Sequence, residues 1–232
     1  MAHPAFYFDL ASPEAYLAAE RVLQVMPVAT EWIPVLARDL PAPESFAAWR
    51  CERERLASLE DFERRGAAAG LQAFRWPEPF PFDSDLAMRA ATYAKQVGRT
   101  VAFTLAAFRQ AYAGGRALSE QDNVVIAGSG CEMHPTALLK ACGLKGTRAA
   151  LTDATALAAR RGVRDVPAVW VPGPGGEGDM VFHGDRELER AAAAIAARTL
   201  PARAAPTASS SRAAAARRHG WRRRTASTRS RS

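Results

Sequence analysis

The chain is poor in the residues that make a disulfide or metal protein. It holds three cysteines and four histidines in 232 residues. Cys51, Cys131 and Cys142 form no Cys-x-x-Cys pair and no metal-ligand spacing with the histidines. Their odd number reads as reduced thiols with structural or surface places. No uninterrupted apolar run approaches the roughly 20 residues that a membrane-crossing helix needs. The opening "MAHPAFYFDL" lacks a basic leader, an apolar stretch and a small-residue cleavage site, so an unexported, cytoplasmic protein is expected. Acidic residues are missing after Pro201, where nine arginines stand. Without them 22 basic residues face 24 acidic ones, so the formal charge of +7 belongs to the tail. The near-neutral body gives no reason to expect a nucleic-acid surface.

What is there is apolar: 48% of the residues, ample for a packed core. The tail, residues 201–232, is rich in Ala, Ser and Arg and nearly free of large apolar side chains. It cannot bury enough surface to offset the entropy of ordering and is expected to be disordered. A basic tail can hold phosphate backbones, but a dispensable extension is the simpler reading.

Before the tail, "AFYFD" at residues 5–9 reads as a strand. Ser12 follows as helix N-cap, Pro13 at the first helical position and Glu14 in the first turn. Apolar residues then recur at helical spacing until Pro27. "ATEWIPVLA" is a second strand with Pro34 near its end or at an edge, which makes a β-α-β unit with parallel strands. Residues 44–159 are mostly helical in period, interrupted by the proline-stiffened aromatic loop "FRWPEPFPFDSD". Ser84 is placed to cap the helix after that loop, with Phe80 and Phe82 packed beneath. "AVWV" and "MVFH" form a hairpin around a Gly/Pro-rich turn, and a last helix opens near Asp185 with three acids close to its positive end. The order β-α-β, helical insert, β-β-α is that of an α/β thioredoxin-like fold interrupted by a large all-helical insertion. Residues 1–43 and 160–200 make the thioredoxin-like domain, and 44–159 the helical domain.

Two features point to a site. Ser12 stands at a strand-to-helix corner, where backbone N–H groups and the helix dipole favour negative charge. In thioredoxin-like proteins that corner carries the redox cysteine. Here "SPEAY" offers Ser12 and Ala15, which excludes thiol–disulfide exchange by these side chains. A hydroxyl can still donate to a thiolate brought by a cofactor, lowering a thiol pKa from about 8.5. The plain alternative is a helix cap. The second feature is Val166–Pro167, just before "AVWV", where such folds keep a cis-proline whose preceding residue pairs with a peptide-like ligand.

Four stretches, "FYFDLASPEAYLAAE", "FPFDSDLAMRAATYAKQVGR", "GVRDVPAVWV" and "VFHGDRELERA", together resemble the 2-hydroxychromene-2-carboxylate isomerases, kin of the kappa-class glutathione transferases in the DsbA-like group. The resemblance covers residues 5–198. It implies that Ser12 activates the sulfur of glutathione. It further implies that Val166, before Pro167, holds the cysteinyl backbone, and that Asp185 and Arg186 bind the γ-glutamyl end. Where relatives often carry a lysine after the second strand, this chain has Arg50, Arg53 and Arg55.

The resemblance implies a glutathione-dependent isomerase of aromatic catabolic intermediates. The thiol adds reversibly to the substrate, permits ring opening and bond rotation, and leaves again. Trp76, Phe80 and Phe82 would wall the aromatic substrate, and His183 would be a strand-end residue. Two other readings keep the fold: a DsbA-like or kappa-type thiol transferase using another low-molecular-weight thiol, and a non-catalytic binding protein. Dimers are common among relatives, so a homodimer stays open. No membrane partner is expected, nor a nucleic-acid contact by the tail.

Overall fold

In the computed structural model, residues 3–41 and 51–199 are described. The tail predicted to be disordered, and residues 42–50 with Arg50 and the first part of the predicted helical insert, lie outside them.

Aromatic residues build the first strand, β1 (Ala5–Phe8), and all four are buried. Strand alternation sends them to two separate cores. Phe6 and Phe8 face one cluster with Trp32, Val169 and Val171. Ala5 and Tyr7 face the other with Ile33, Ala168 and Trp170. A strand covered on both sides reads as a continuous apolar run, as here.

Helix α1 (Pro13–Val25) starts on Pro13 and ends before Pro27, and its buried face carries Ala15, Tyr16, Ala19 and Val22. It leads to β2 (Glu31–Pro34), which pairs in parallel with β1. After the insert come β3 (Ala168–Val171), antiparallel to β1, and β4 (Met180–His183), antiparallel to β3 and so parallel in direction to β1. The sheet order is β2-β1-β3-β4, so Pro34 sits on an edge strand. The chain closes with a 3-10 turn at Asp185–Glu187 and helix α8 (Leu188–Thr199). The last helix thus opens three residues later than its acids led us to expect. This is the thioredoxin-like fold with a helical insertion.

The insert supplies α2 (Glu52–Ala68), α3 (Asp85–Gln96), α4 (Thr100–Tyr112), α5 (Gln121–Ser129), α6 (Pro135–Gly143) and α7 (Lys145–Arg160). Helix α3 presents Ala87, Met88, Ala90, Ala91 and Ala94, all fully buried, and packs on β2, α4, α6 and α7. Small side chains let these backbones approach closely, so insert and sheet share one core.

Helix α2 differs. Of its 17 residues only Leu59 and Gly66 are buried. At Gly66 a Cβ would stand 2.5 Å from Phe74, so glycine is what lets the aromatic loop lie against this helix. Within that loop Phe82 is buried, as expected, while Trp76 and Phe80 are half-buried with rings 4.9 Å apart.

Candidate functional site

The turn between β1 and α1 is organised by Asp9, buried at the end of the strand. One carboxylate oxygen accepts the N–H of Ala11 at 2.9 Å, and the other accepts the N–H of Ala37 at 2.9 Å. The Ser84 hydroxyl also donates to it. Burial pushes the Asp9 carboxyl up from its ordinary range, and these donors oppose the shift. Ser84 is the N-cap residue of α3, but its side chain makes no capping hydrogen bond, which differs from the expectation. Its hydroxyl proton is directed to Asp9, joining the start of α3 to the turn before α1.

Asp9 also fixes Ser12, whose N–H donates to the Asp9 carbonyl at 3.1 Å. Ser12 is the N-cap of α1. Its hydroxyl oxygen accepts the N–H of Ala15 at 3.1 Å, and the residue is 2% exposed. Acceptance uses a lone pair and leaves the hydroxyl proton to donate. Both sequence readings of Ser12 thus coexist: it is a cap, and its proton remains available at the positive end of a 13-residue helix.

The Val166–Pro167 bond is cis. Ala168 pairs with Tyr7, so Pro167 lies beside the end of β1. The Pro167 carbonyl accepts the N–H of Gly184 at 2.8 Å, which draws the end of β4 to the same place. Ser12, Val166, Pro167 and Asp185 therefore gather at one end of the sheet. The Val166 N–H is already engaged, however, by its neighbour's carboxylate: Asp165 Oδ1 accepts it at 2.7 Å.

Asp185 is 4% exposed. Its Oδ1 accepts from Arg65 Nη1 at 2.6 Å, the guanidinium coming from α2. The same Nη1 is 3.5 Å from Glu14 Oε1. Arg65 Nε lies 3.0 Å from Asp61 Oδ2, too oblique for a hydrogen bond. Burial, a side-chain hydrogen bond that the protonated Glu14 donates to Asp185, and the charge of Asp185 push the Glu14 carboxyl up to about 7, against the pull of Arg65. Arg186 stands outside this centre. Its side chain is 68% exposed, and Nη2 is 3.4 Å from Asp61.

His183 Nε2 accepts the N–H of Arg164 at 3.0 Å, a strand-end role. The aromatic wall is only partly as expected. Phe82 belongs to the core, whereas Phe62 of α2 joins Trp76, with Arg65 lying over the Phe62 ring at 4.6 Å. Surface depressions of about 280 and 450 Å³ lie elsewhere, beside Met26 and beside Arg99. Among the described residues no cluster of three His, Cys, Asp or Glu could hold a metal ion.

Sequence reasoning missed Asp9, Asp165 and Arg65, and it counted Glu14 only as a first-turn acid. A carboxylate directly after an all-apolar strand was the available signal for Asp9. For Arg65 the i,i+4 spacing to Asp61 was the only hint.

A mixed four-stranded sheet with a helix opening after its first strand and a cis-proline just before its third defines a thioredoxin-type domain. The chain belongs to the family of DsbA-like thioredoxin domains, which it matches over residues 5–196. No curated protein sequence matches it. Among solved structures it is similar to a 2-hydroxychromene-2-carboxylate isomerase, with TM-score 0.69 and 17% identity over 85% of this chain and 96% of the other. A probable DsbA oxidoreductase from Streptomyces coelicolor gives 0.64 and 19%, covering 84% and 88%. The cytosolic disulfide reductase DsbM from Pseudomonas aeruginosa, in a structure with GSH, gives 0.59 and 15%, covering 85% and 98%. At these identities the likeness is one of fold. Among the described residues no helix is long and apolar enough to cross a membrane.

Proposed function

We propose that this chain is a glutathione-dependent isomerase of the 2-hydroxychromene-2-carboxylate type, acting in the cytoplasm on aromatic catabolic intermediates. The observation that carries the reading is Ser12: a buried hydroxyl with a proton to give, at the N-terminus of α1, where a redox pair would need cysteine. Ser12 and Ala15 rule out thiol–disulfide exchange at this corner. Glutathione, when bound, supplies the nucleophilic sulfur.

The residues present fit such a group. Ser12 donates a hydrogen bond to a thiolate, and the helix dipole adds to the preference for the charged form. Val166 presents its backbone beside Pro167, with an N–H that a ligand would take from Asp165. Asp185, already paired with Arg65, is the carboxylate an ammonium group would have to win, and the exposed Arg186 provides a guanidinium for a carboxylate. Trp76 and Phe80 lie half-buried with face area for an aromatic substrate. The test is calorimetric titration with glutathione, followed by an absorbance assay on a hydroxychromene carboxylate. Binding without turnover removes the isomerase, and absence of both removes the reading.

One observation favours a second reading, in which another low-molecular-weight thiol is used. Two contacts that glutathione needs are filled from within, Val166 N–H by Asp165 and Asp185 by Arg65. Titrating several thiols side by side separates the two. A non-catalytic binding protein would keep its biological effect after Ser12→Ala, and either enzyme would lose it. A homodimer is decided by the solution mass. Strongly salt-dependent nucleic-acid binding that vanishes on truncation at Pro201 would give the tail a role we do not assign it.

A further inference from the structure

We infer that Arg65 is a specificity-determining residue of this site: its guanidinium already holds the Asp185 carboxylate, so a ligand amine gains that carboxylate only by displacing it. The inference rests on the proposed glutathione reading and goes beyond it in naming what the ligand competes with.

The contact is built to last. The Arg65 side chain is 16% exposed and that of Asp185 6%, so water screens the pair weakly. At 2.6 Å the bond is charge-assisted. Leaving Asp185 without a cation would strand a buried carboxylate. Arg65 is further held by Asp61 on its own helix, by Glu14 of α1 and by the Phe62 ring beneath it. The other charge beside this centre is Arg21 of α1, which donates to the Asp185 carbonyl and pairs with Glu189 of α8, while Arg186 stays outside it on Asp61. Helix α2 buries little else, so this guanidinium is also its main polar attachment to the sheet half.

An incoming ammonium is a compact point charge and Arg65 a planar fork already in place. The wild-type site therefore gains little from a ligand's free amine. Replacing Arg65 by an apolar residue leaves Asp185 needing a cation, and the amine becomes the group that answers it.

The experiment titrates S-methylglutathione, whose blocked sulfur removes thiol ionisation, and its N-acetyl derivative, which lacks the ammonium charge. Each is run against wild type, Arg65→Met and Arg65→Gln. Arg65→Met should bind S-methylglutathione on the order of tenfold more tightly than wild type, with the N-acetyl peptide changed by less than about twofold. Arg65→Gln, kept in case the methionine variant does not fold, should move the same ratio in the same direction. A purely structural Arg65 would weaken both peptides alike, and an unchanged ratio overturns the inference. If neither peptide binds any of the proteins, the glutathione reading falls and the decision passes to a probe that carries only the amine. Ethylammonium chloride should then raise the Tm of the Arg65 variants saturably above equal sodium chloride and leave wild type unmoved. Absence of that response overturns the seated-cation claim as well.

Discussion

The hydroxyl oxygen of Ser12 accepts the backbone N–H of Ala15 at 3.1 Å, and this one bond gives the side chain two separable duties. As a cap it satisfies an orphan donor of α1. As a donor it keeps a proton for whatever sits above the corner. Ser12→Ala removes both. The loss of the cap should cost about 1 kcal/mol, a Tm drop of about 2–4 °C for a chain of this size. Thiol affinity should fall with it. Ser12→Cys separates the duties, because a thiol at a helix N-terminus reports the local field directly. Its pKa, followed by thiolate absorbance, should lie below the ordinary 8.5 or so. A value at or above that would remove the electrostatic basis for seating a thiolate here.

Asp9 should prove the structural keystone of the same corner. Its two oxygens take the N–H groups of Ala11 and Ala37, each at 2.9 Å, together with the Ser84 hydroxyl. Asp9→Ala removes the acceptor of all three, of which the Ala11 N–H is buried and the Ala37 N–H part-buried, at about 1–3 kcal/mol for a buried donor left unpaired. Denaturant unfolding should show a loss of about 3 kcal/mol or more. Asp9→Asn keeps one acceptor oxygen and should lose less. A loss under about 1 kcal/mol for the alanine variant would mean that water replaces the carboxylate freely.

The contrast between Asp9 and Arg65 shows how much of the site was legible in the chain. Strand alternation, Pro13 and Pro27 around α1, and Pro167 before "AVWV" are local signals. From them followed the split fold, Ser12 at the corner and the cis bond. Asp9, directly after a buried strand, belonged to the same local grammar and was passed over. Arg65 is one of several arginines on a largely solvated helix, and nothing in its neighbours distinguishes it from Arg64, whose side chain is 75% exposed. Which arginine turns inward is decided by how α2 docks, and that depends on Gly66 admitting Phe74. The partner of Asp185 comes from 120 residues earlier, beyond any pattern in the chain.

Asp165 should act as a brake on peptide recognition. Its carboxylate holds the Val166 N–H at 2.7 Å, the group an extended ligand would take as an acceptor's partner. Asp165→Ala frees that donor, and one hydrogen bond to a neutral acceptor is worth about 0.5–1.5 kcal/mol. S-methylglutathione should bind about three- to tenfold more tightly to the variant in calorimetry. Equal affinity would place the ligand backbone away from Val166.

Glu14 gives the site a pH dependence of unusual sign. Its carboxyl is pushed from an ordinary 4.5 to about 7, first by burial, then by the hydrogen bond it donates to Asp185 when protonated and by the Asp185 charge. Between those two values the folded protein keeps a proton that the unfolded chain releases. Stability from this group is therefore complete below about 4.5 and is lost as pH rises through about 7. Most carboxylates act the other way. Glu14→Gln mimics the protonated form at every pH, so its Tm should match wild type near pH 4.5 and exceed it above pH 7. Since the Glu14 side chain is 35% exposed, solvent screening limits the gain to about 1 kcal/mol or less. Thermal melts of the two proteins across that range check it. If the glutamine variant were the less stable at pH 8, the Arg65 guanidinium would be winning over burial and Asp185, and Glu14 would be an ordinary ion-pair partner.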